Sequence, residues 1–180
     1  EYLVSNNIKS SIIDHHDINR PYPKSDVIIN PKKNNENSSK DYFCATTLTY
    51  FFLKILEKKT KSSFDVSKYL IYALLALVCD VMPLRKINRS IALNLINDFD
   101  INDNIAFKTL YKLCDRKNKI SIEDLGYLIG PIINSGGRLS NSNLAADLLI
   151  SDNNSIVKNR SLKLIKLNNK RKKIENEILK

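Results

Sequence analysis

Ser10-Ser11-Ile12-Ile13-Asp14-His15-His16 is the stretch on which the fold turns. Its first half, residues 10–13, is a short β-type run, and it stops at three polar residues that include both histidines of the chain. In a parallel sheet, ligands bind at the carboxyl ends of strands. A strand that ends in Asp-His-His therefore places donor atoms where such a site is built. Extended geometry sends consecutive side chains to opposite faces, so His15 and His16 are expected to do different jobs. One ligates a metal ion and the other faces a substrate oxygen, while Asp14 orients an imidazole from behind. Three polar residues in a surface turn would read the same way, so the rest of the chain has to decide.

Residues 26–29 form a second β-type run, closed by the turn signal Asn30-Pro31. Between the two runs lies a Pro-punctuated loop, residues 19–25, and residues 32–40 are polar and Asn-rich. From Asp41 onward the pattern becomes helical. Residues 42–58 and 65–79 are apolar-rich and of helical length, with Ser63 or Asp65 as N-cap of the second. Helices are expected at residues 88–99, 104–114 and 121–128, then a glycine-bearing turn, then a short helix at 143–150. Residues 153–180 read as one long helix with Val157, Leu164, Leu167, Ile174 and Ile178 on one face at a coiled-coil-like spacing. Strands first and helices later predict an α/β fold: the later part of a parallel-sheet domain, helix-rich, ending in a long connecting helix.

The formal charge of +10 suggests a polyanionic partner. Lysine far outnumbers arginine, however, and Asn and Ile abound, which is also what an AT-rich coding sequence produces. Nine of the basic residues fall in 153–180 against two glutamates, so a packing strut with a solvated basic face explains most of the excess. Hydrophobic residues make up 43% of the chain, an ordinary globular share. No run approaches the roughly 20 apolar residues of a membrane span, and the longest, residues 69–79, is closed by Asp80. No membrane partner is expected. Cys44, Cys79 and Cys114 have no metal-like spacing and read as reduced, packed thiols of a cytoplasmic protein. The chain opens on Glu1, its one methionine is Met82, and Lys180 closes a charged helical pattern, so both ends are expected to be cuts.

Asp80 follows the apolar run and precedes Val81-Met82-Pro83-Leu84. A carboxylate in so apolar a setting is costly unless it is paired or bound to a metal; a hydrogen-bonded helix-end Asp is the plain alternative. Beside two histidines, a shared divalent ion is the better account, since imidazole and carboxylate together suit Mn2+ or a similar ion. All four glycines, Gly126, Gly130, Gly136 and Gly137, lie in one short stretch, and Arg138 follows the last pair. Adjacent glycines let backbone N–H groups converge on an anion, and Arg138 offers a planar fork to phosphate oxygens. An ordinary tight turn would have the same composition.

Taken in order, these motifs resemble the DHH phosphoesterase superfamily and, within it, the RecJ-type exonucleases specific for single-stranded DNA. Asp14-His15-His16 matches the superfamily signature, and Val27-Ile28-Ile29-Asn30-Pro31 resembles the strand and Asn-Pro that follow it. Asp80-Val81-Met82-Pro83-Leu84 with Asn88-Arg89, and Gly130-Pro131 to Asn134 with Gly137-Arg138-Leu139, resemble two further RecJ motifs, and Ala145 to Asp152 resembles the helix and acidic turn after them. Ser135 and Gly136 stand where Ala-Ala is common in that family.

The resemblance implies 5′→3′ hydrolysis of phosphodiester bonds in single-stranded DNA, in recombination and repair. It implies that His15 and Asp80 ligate one ion of a two-ion Mn2+ or Mg2+ centre and that His16 faces the scissile phosphate as electrophile or proton donor. Asp14 would orient the site, and Asn134, Gly136, Gly137 and Arg138 would hold backbone phosphate. It further implies a partial DHH domain over residues 1–150 and, over 151–180, a long basic connecting helix towards a DHH-associated domain. The family's earlier aspartate motifs and that second domain are expected outside residues 1–180. The chain alone is then expected to be inactive, its partners being single-stranded DNA and the N-terminal and C-terminal parts of the same enzyme. Another DHH phosphodiesterase (an oligoribonuclease or cyclic-dinucleotide hydrolase) and an inactive nucleic-acid-binding remnant stay open as alternatives.

Overall fold

The first two strands, β1 (Ser11–Ile13) and β2 (Val27–Ile29), pair in parallel, with Ser11 opposite Val27, Ile12 opposite Ile28 and Ile13 opposite Ile29. Apart from Ser11, both are built of β-branched residues, which suit a pleated, half-buried surface. Parallel pairing needs a crossover of a dozen or more residues, and residues 14–26 provide it without a helix. The computed structural model describes residues 2–33, 42–61 and 63–179. They divide into two units, Glu1–Leu95 and Ile96–Lys180.

In the first unit, α1 (Tyr2–Ser5) precedes the strands, and α2 (Ala45–Thr60) and α3 (Leu70–Cys79) follow them. A 3-10 turn over Ser67–Tyr69 leads into α3; the Asp65 carboxylate accepts from the Ser67 N–H at 2.9 Å, but the N-cap positions are Val66 and Tyr69, without side-chain caps, and not Ser63 or Asp65 as expected. Helix α3 buries Ile71, Ala73, Leu74, Leu75 and Leu77 and forms much of this unit's core. It stops in a paired C-terminal motif: Val81 N–H donates to Val78 O and Met82 N–H to Leu77 O. Val81 sits there at φ 53°, the left-handed position that usually falls to glycine. Helix α4 (Lys86–Asp98) follows.

In the second unit, Asn104 caps α5 (Ile105–Leu113), accepting from Ala106 and Phe107 N–H, and α5 buries Phe107 and Leu110 completely. Ser121 and Asp124 form a capping box at the start of α6 (Ile122–Asp124). A π-helical turn, Leu125–Ile129, runs directly into α7 (Gly130–Leu139). Here the expected glycine-bearing turn is overturned: the stretch is a helix. Pro131 lies just past the wider π-helical turn, which accommodates a residue with no N–H to donate inside a continuous helix. The small face of α7 lets α9 approach, since a Cβ on Gly136 would lie 3.0 Å from Leu164 Cδ2 and 3.1 Å from Asn141 O. Ser135 Oγ donates to Leu164 O at 3.0 Å across the same contact.

Helix α8 (Asn143–Ile150) and the long α9 (Asn154–Ile178) complete the chain, with Asn153 capping α9 through the N–H groups of Ser155 and Ile156. The face α9 buries is Val157, Ser161, Leu164 and Asn168, whereas Ile178 is 77% exposed. The expected continuous stripe therefore packs only along its first half. Cys44 is buried and Cys79 exposed, so the packed-thiol expectation fails at Cys79. Among the described residues, no helix is long and apolar enough to cross a membrane.

Candidate functional site

The sheet ladder extends one residue past β1, because Asp14 N–H donates to Ile29 O at 3.0 Å. Beyond it the chain leaves the pleat, and side-chain alternation ends there. The rings of His15 and His16 consequently lie side by side, their centroids 4.4 Å apart, rather than on opposite faces as extended geometry predicted. Their surroundings still differ. His15 is mostly covered, with 15% of its side chain exposed, and His16 projects outward at 76%.

Asp14 Oδ1 accepts from His16 Nδ1 at 2.7 Å. That hydrogen bond, helped by the backbone N–H groups of His15 and His16 and opposed by burial, holds the Asp14 carboxyl below the usual carboxylate range. Asn30 Nδ2 donates to His16 O at 3.0 Å and anchors the loop from the far strand. Asn30 reads in the sequence as a turn residue, and its anchoring role had no signal there.

His15 Nδ1 accepts the Ala45 N–H, at the start of α2, at 3.2 Å. In a neutral ring this leaves the proton on Nε2, which faces Asp80 Oδ2 at 3.9 Å. One ligand atom from each of Asp14, His15 and His16 lies within 4.8 Å of the others. Nitrogen and carboxylate oxygen gathered in this way fit a divalent ion such as Mn2+ in kind. A metal-bound histidine usually donates its second ring N–H, so ligation through Nε2 requires release of the Ala45 contact.

Asp80 is not the buried carboxylate that its apolar sequence context predicts: it is the C-cap of α3, with 46% of its side chain exposed. Desolvation is therefore not its cost. A negative charge at a helix C-terminus meets the negative end of the helix dipole, an unfavourable term of about 0.3–1 kcal/mol that a cation would offset. Asn88, buried on α4, holds the following loop by donating to Pro83 O at 3.0 Å and Tyr42 O at 2.8 Å. Besides its place in the Asn88-Arg89 motif, its sequence signal is position, since a polar residue falls on the buried Asn88, Ile91, Ala92 face of α4.

The residues expected to hold phosphate lie in the second unit, on α7. Asn134, Gly137 and Arg138 are exposed, while Gly136 is buried against Leu164. The N–H groups of Gly136 and Gly137 belong to an α-helix and are directed along its axis at carbonyls of the preceding turn. The expected nest of convergent backbone amides does not form, and an anion would meet side chains instead. Arg138 makes no ion pair with the described residues.

No family model matches the chain. Among curated proteins it is 26% identical to the single-stranded-DNA-specific exonuclease RecJ of Haemophilus influenzae, over 97% of this chain and 32% of that protein. The Escherichia coli protein of the same name gives 26% identity over 97% of this chain and 32% of its own length. The chain thus spans about a third of the length of the curated relatives it matches. Among solved structures, an exonuclease RecJ bound to manganese superposes with a TM-score of 0.84 at 20% identity, over 99% of this chain and 45% of that one. RecJ from Thermus thermophilus in complex with Mn2+ gives 0.84 and 20%, over 98% of this chain and 26% of that one. Both comparisons bear out the resemblance drawn from the ordered motifs: the chain is RecJ-like in sequence and in fold.

Proposed function

We propose that this chain is part of a metal-dependent exonuclease that degrades single-stranded DNA 5′→3′ in recombination and repair. The observation that carries the reading is the meeting of His15 Nε2 and Asp80 Oδ2 beside Asp14 and His16 at the end of a parallel strand. Relatives named for this activity, and neighbours solved with manganese, supply the chemistry.

His15 and Asp80 would hold one divalent ion, Mn2+ or Mg2+. Asp14 holds His16 by its Nδ1, leaving Nε2 of the exposed ring to meet the scissile phosphate, where the imidazolium form would donate a proton or a hydrogen bond to its oxygen. When bound, a pair of such ions polarises the phosphate and activates water for in-line attack. Two ions need more ligands than Asp14, His15, His16 and Asp80 offer, so this cluster is one part of the ligand set and the chain by itself is inactive. Arg138 and Asn134 hold backbone phosphate from the exposed side of α7, Gly137 lets the strand come close, and Gly136 keeps α7 seated against α9. Residues 1–150 then correspond to a partial DHH domain and 151–180 to the connecting helix. Three cysteines with no metal-like spacing suit a cytoplasmic enzyme.

Thermal melting of the chain with and without Mn2+ tests the reading. The expected result is a metal-dependent rise in Tm that His15→Ala and Asp80→Ala abolish. A wild-type melt indifferent to Mn2+ overturns it. Competition of a labelled single-stranded oligonucleotide with unlabelled DNA and with cyclic dinucleotides separates the exonuclease from other DHH phosphodiesterases.

A further inference from the structure

The π-helical turn Leu125–Ile129 ahead of α7 presents a side chain that neither the fold nor the proposed chemistry uses. Tyr127 is 82% exposed, while its neighbours in the same turn, Leu125 and Ile129, are completely buried. It makes no hydrogen bond or ring contact with the described residues. Short π-helical segments are uncommon and occur frequently at functional sites, because the wider turn re-aims a side chain.

What lies along the same side of the helix is informative. The buried positions run Leu125, Ile129, Ile132 and Gly136. The exposed positions opposite them include Tyr127, Asn134 and Arg138, with the acidic Glu123 beyond Tyr127 at the far end. The cationic end of this stripe is thus Arg138, and the aromatic lies away from it, beside a carboxylate that would repel phosphate. At about 1.5 Å of rise per residue, roughly 16 Å separates Tyr127 from Arg138. Stacked nucleotides of one strand are spaced by about 3.4 Å, so the two side chains would meet different nucleotides of the same strand. A base stacks on an exposed aromatic through its π-face whatever its identity, so Glu123 bears on where the phosphates run and not on the stack itself.

We propose that Tyr127 is a base-stacking site for single-stranded nucleic acid, holding a base a few nucleotides away from the phosphate at Arg138. The assignment rests on the reading above that α7 faces the strand.

The test is the affinity of the full chain for a fluorescently labelled oligothymidylate, measured at several salt concentrations. Tyr127→Ala is expected to weaken binding by roughly tenfold, the loss of one base–aromatic stack. Tyr127→Phe retains affinity. Because no phosphate contact is lost, the salt dependence of Tyr127→Ala stays that of the wild type, whereas Arg138→Ala flattens it. An abasic phosphodeoxyribose strand binds wild type and Tyr127→Ala equally. Unchanged affinity in Tyr127→Ala, or a loss that appears equally with the abasic strand, overturns the stacking site while leaving the reading of α7 intact. A wild-type chain that binds neither strand overturns both.

Discussion

His15 Nε2 lies 3.9 Å from Asp80 Oδ2, so the end of β1 and the end of α3 converge on one point. Each residue is set by its own backbone device. His15 is held by the first N–H of α2, and Asp80 by the C-terminal motif of α3. The two are close enough to share a cation once His15 releases the Ala45 N–H. Calorimetric titration with Mn2+ is expected to show binding that weakens at least tenfold in His15→Ala and in Asp80→Asn, losses at the lower end of those seen when even the supporting shell of a metal site is removed. At a Mn2+ concentration 100 times the dissociation constant, the stabilisation is about 2.7 kcal/mol, and EDTA returns the melt to its metal-free position. Wild-type affinity in both variants would place the metal elsewhere.

Val81 occupies the left-handed position that ends α3 although its side chain is β-branched and 87% exposed. It pays strain and buries nothing. Val81→Gly is expected to stabilise the chain by about 1 kcal/mol, read as a higher urea midpoint. A lower midpoint would mean that the Val81 side chain packs in a way the structure does not show.

Asp124 Oδ2 accepts hydrogen bonds from Tyr111 Oη at 2.6 Å, Ser121 Oγ at 2.9 Å and Ser121 N–H at 3.1 Å. Burial pushes its carboxyl up, but the Tyr111 and Ser121 hydrogen bonds outweigh it and the net shift is downward. Stability from Asp124 is therefore fully present above the unfolded carboxyl value near ~4 and is lost as pH falls through the lower folded value. Tyr111 moves the other way: burial, then the Asp124 partner, raises its hydroxyl, so its share is lost only as pH rises above ~10 towards the raised value. Asp124→Asn should soften the acid limb of a Tm–pH profile, and at neutral pH Ser121→Ala should cost about 1 kcal/mol as a lost N-cap. An acid limb identical in Asp124→Asn would refute the assignment.

Gly136 and Gly137 are adjacent, yet their substitutions should have opposite signs. At Gly136 an added methyl meets a backbone oxygen at 3.1 Å and Leu164 at 3.0 Å. Gly136→Ala should lower stability, because overpacking of about 1–3 kcal/mol exceeds the helix-propensity gain of about 1 kcal/mol. At Gly137 the nearest atom is Ser142 Cβ at 4.0 Å, and Gly137→Ala should gain most of that propensity term. Equal melting shifts for the two variants would contradict the packing of α7 on α9.

Local chemistry made much of this protein legible as a sequence. The β-branched runs that end at Asp14 and Asn30, and the caps at Asn104, Ser121 and Asn153, each depend on atoms within a few residues, so their letters suffice. The pairing of Asp14 with His16 is of the same kind. Tertiary contacts decided what local propensity misjudged. Glycine content predicts a turn at residues 130–137, but α9 needs a face without side chains there, and the gain from that contact keeps the stretch helical. The apolar stripe of α9 continues in letters to Ile178 but is buried only to Asn168, because burial depends on what lies opposite and not on the stripe itself. The partnership of His15 with Asp80 and the grip of Asn88 on Pro83 and Tyr42 join residues far apart in the chain. Short-range hydrogen bonds are written in neighbouring residues, whereas the distance between two side chains on different elements exists only once those elements have packed.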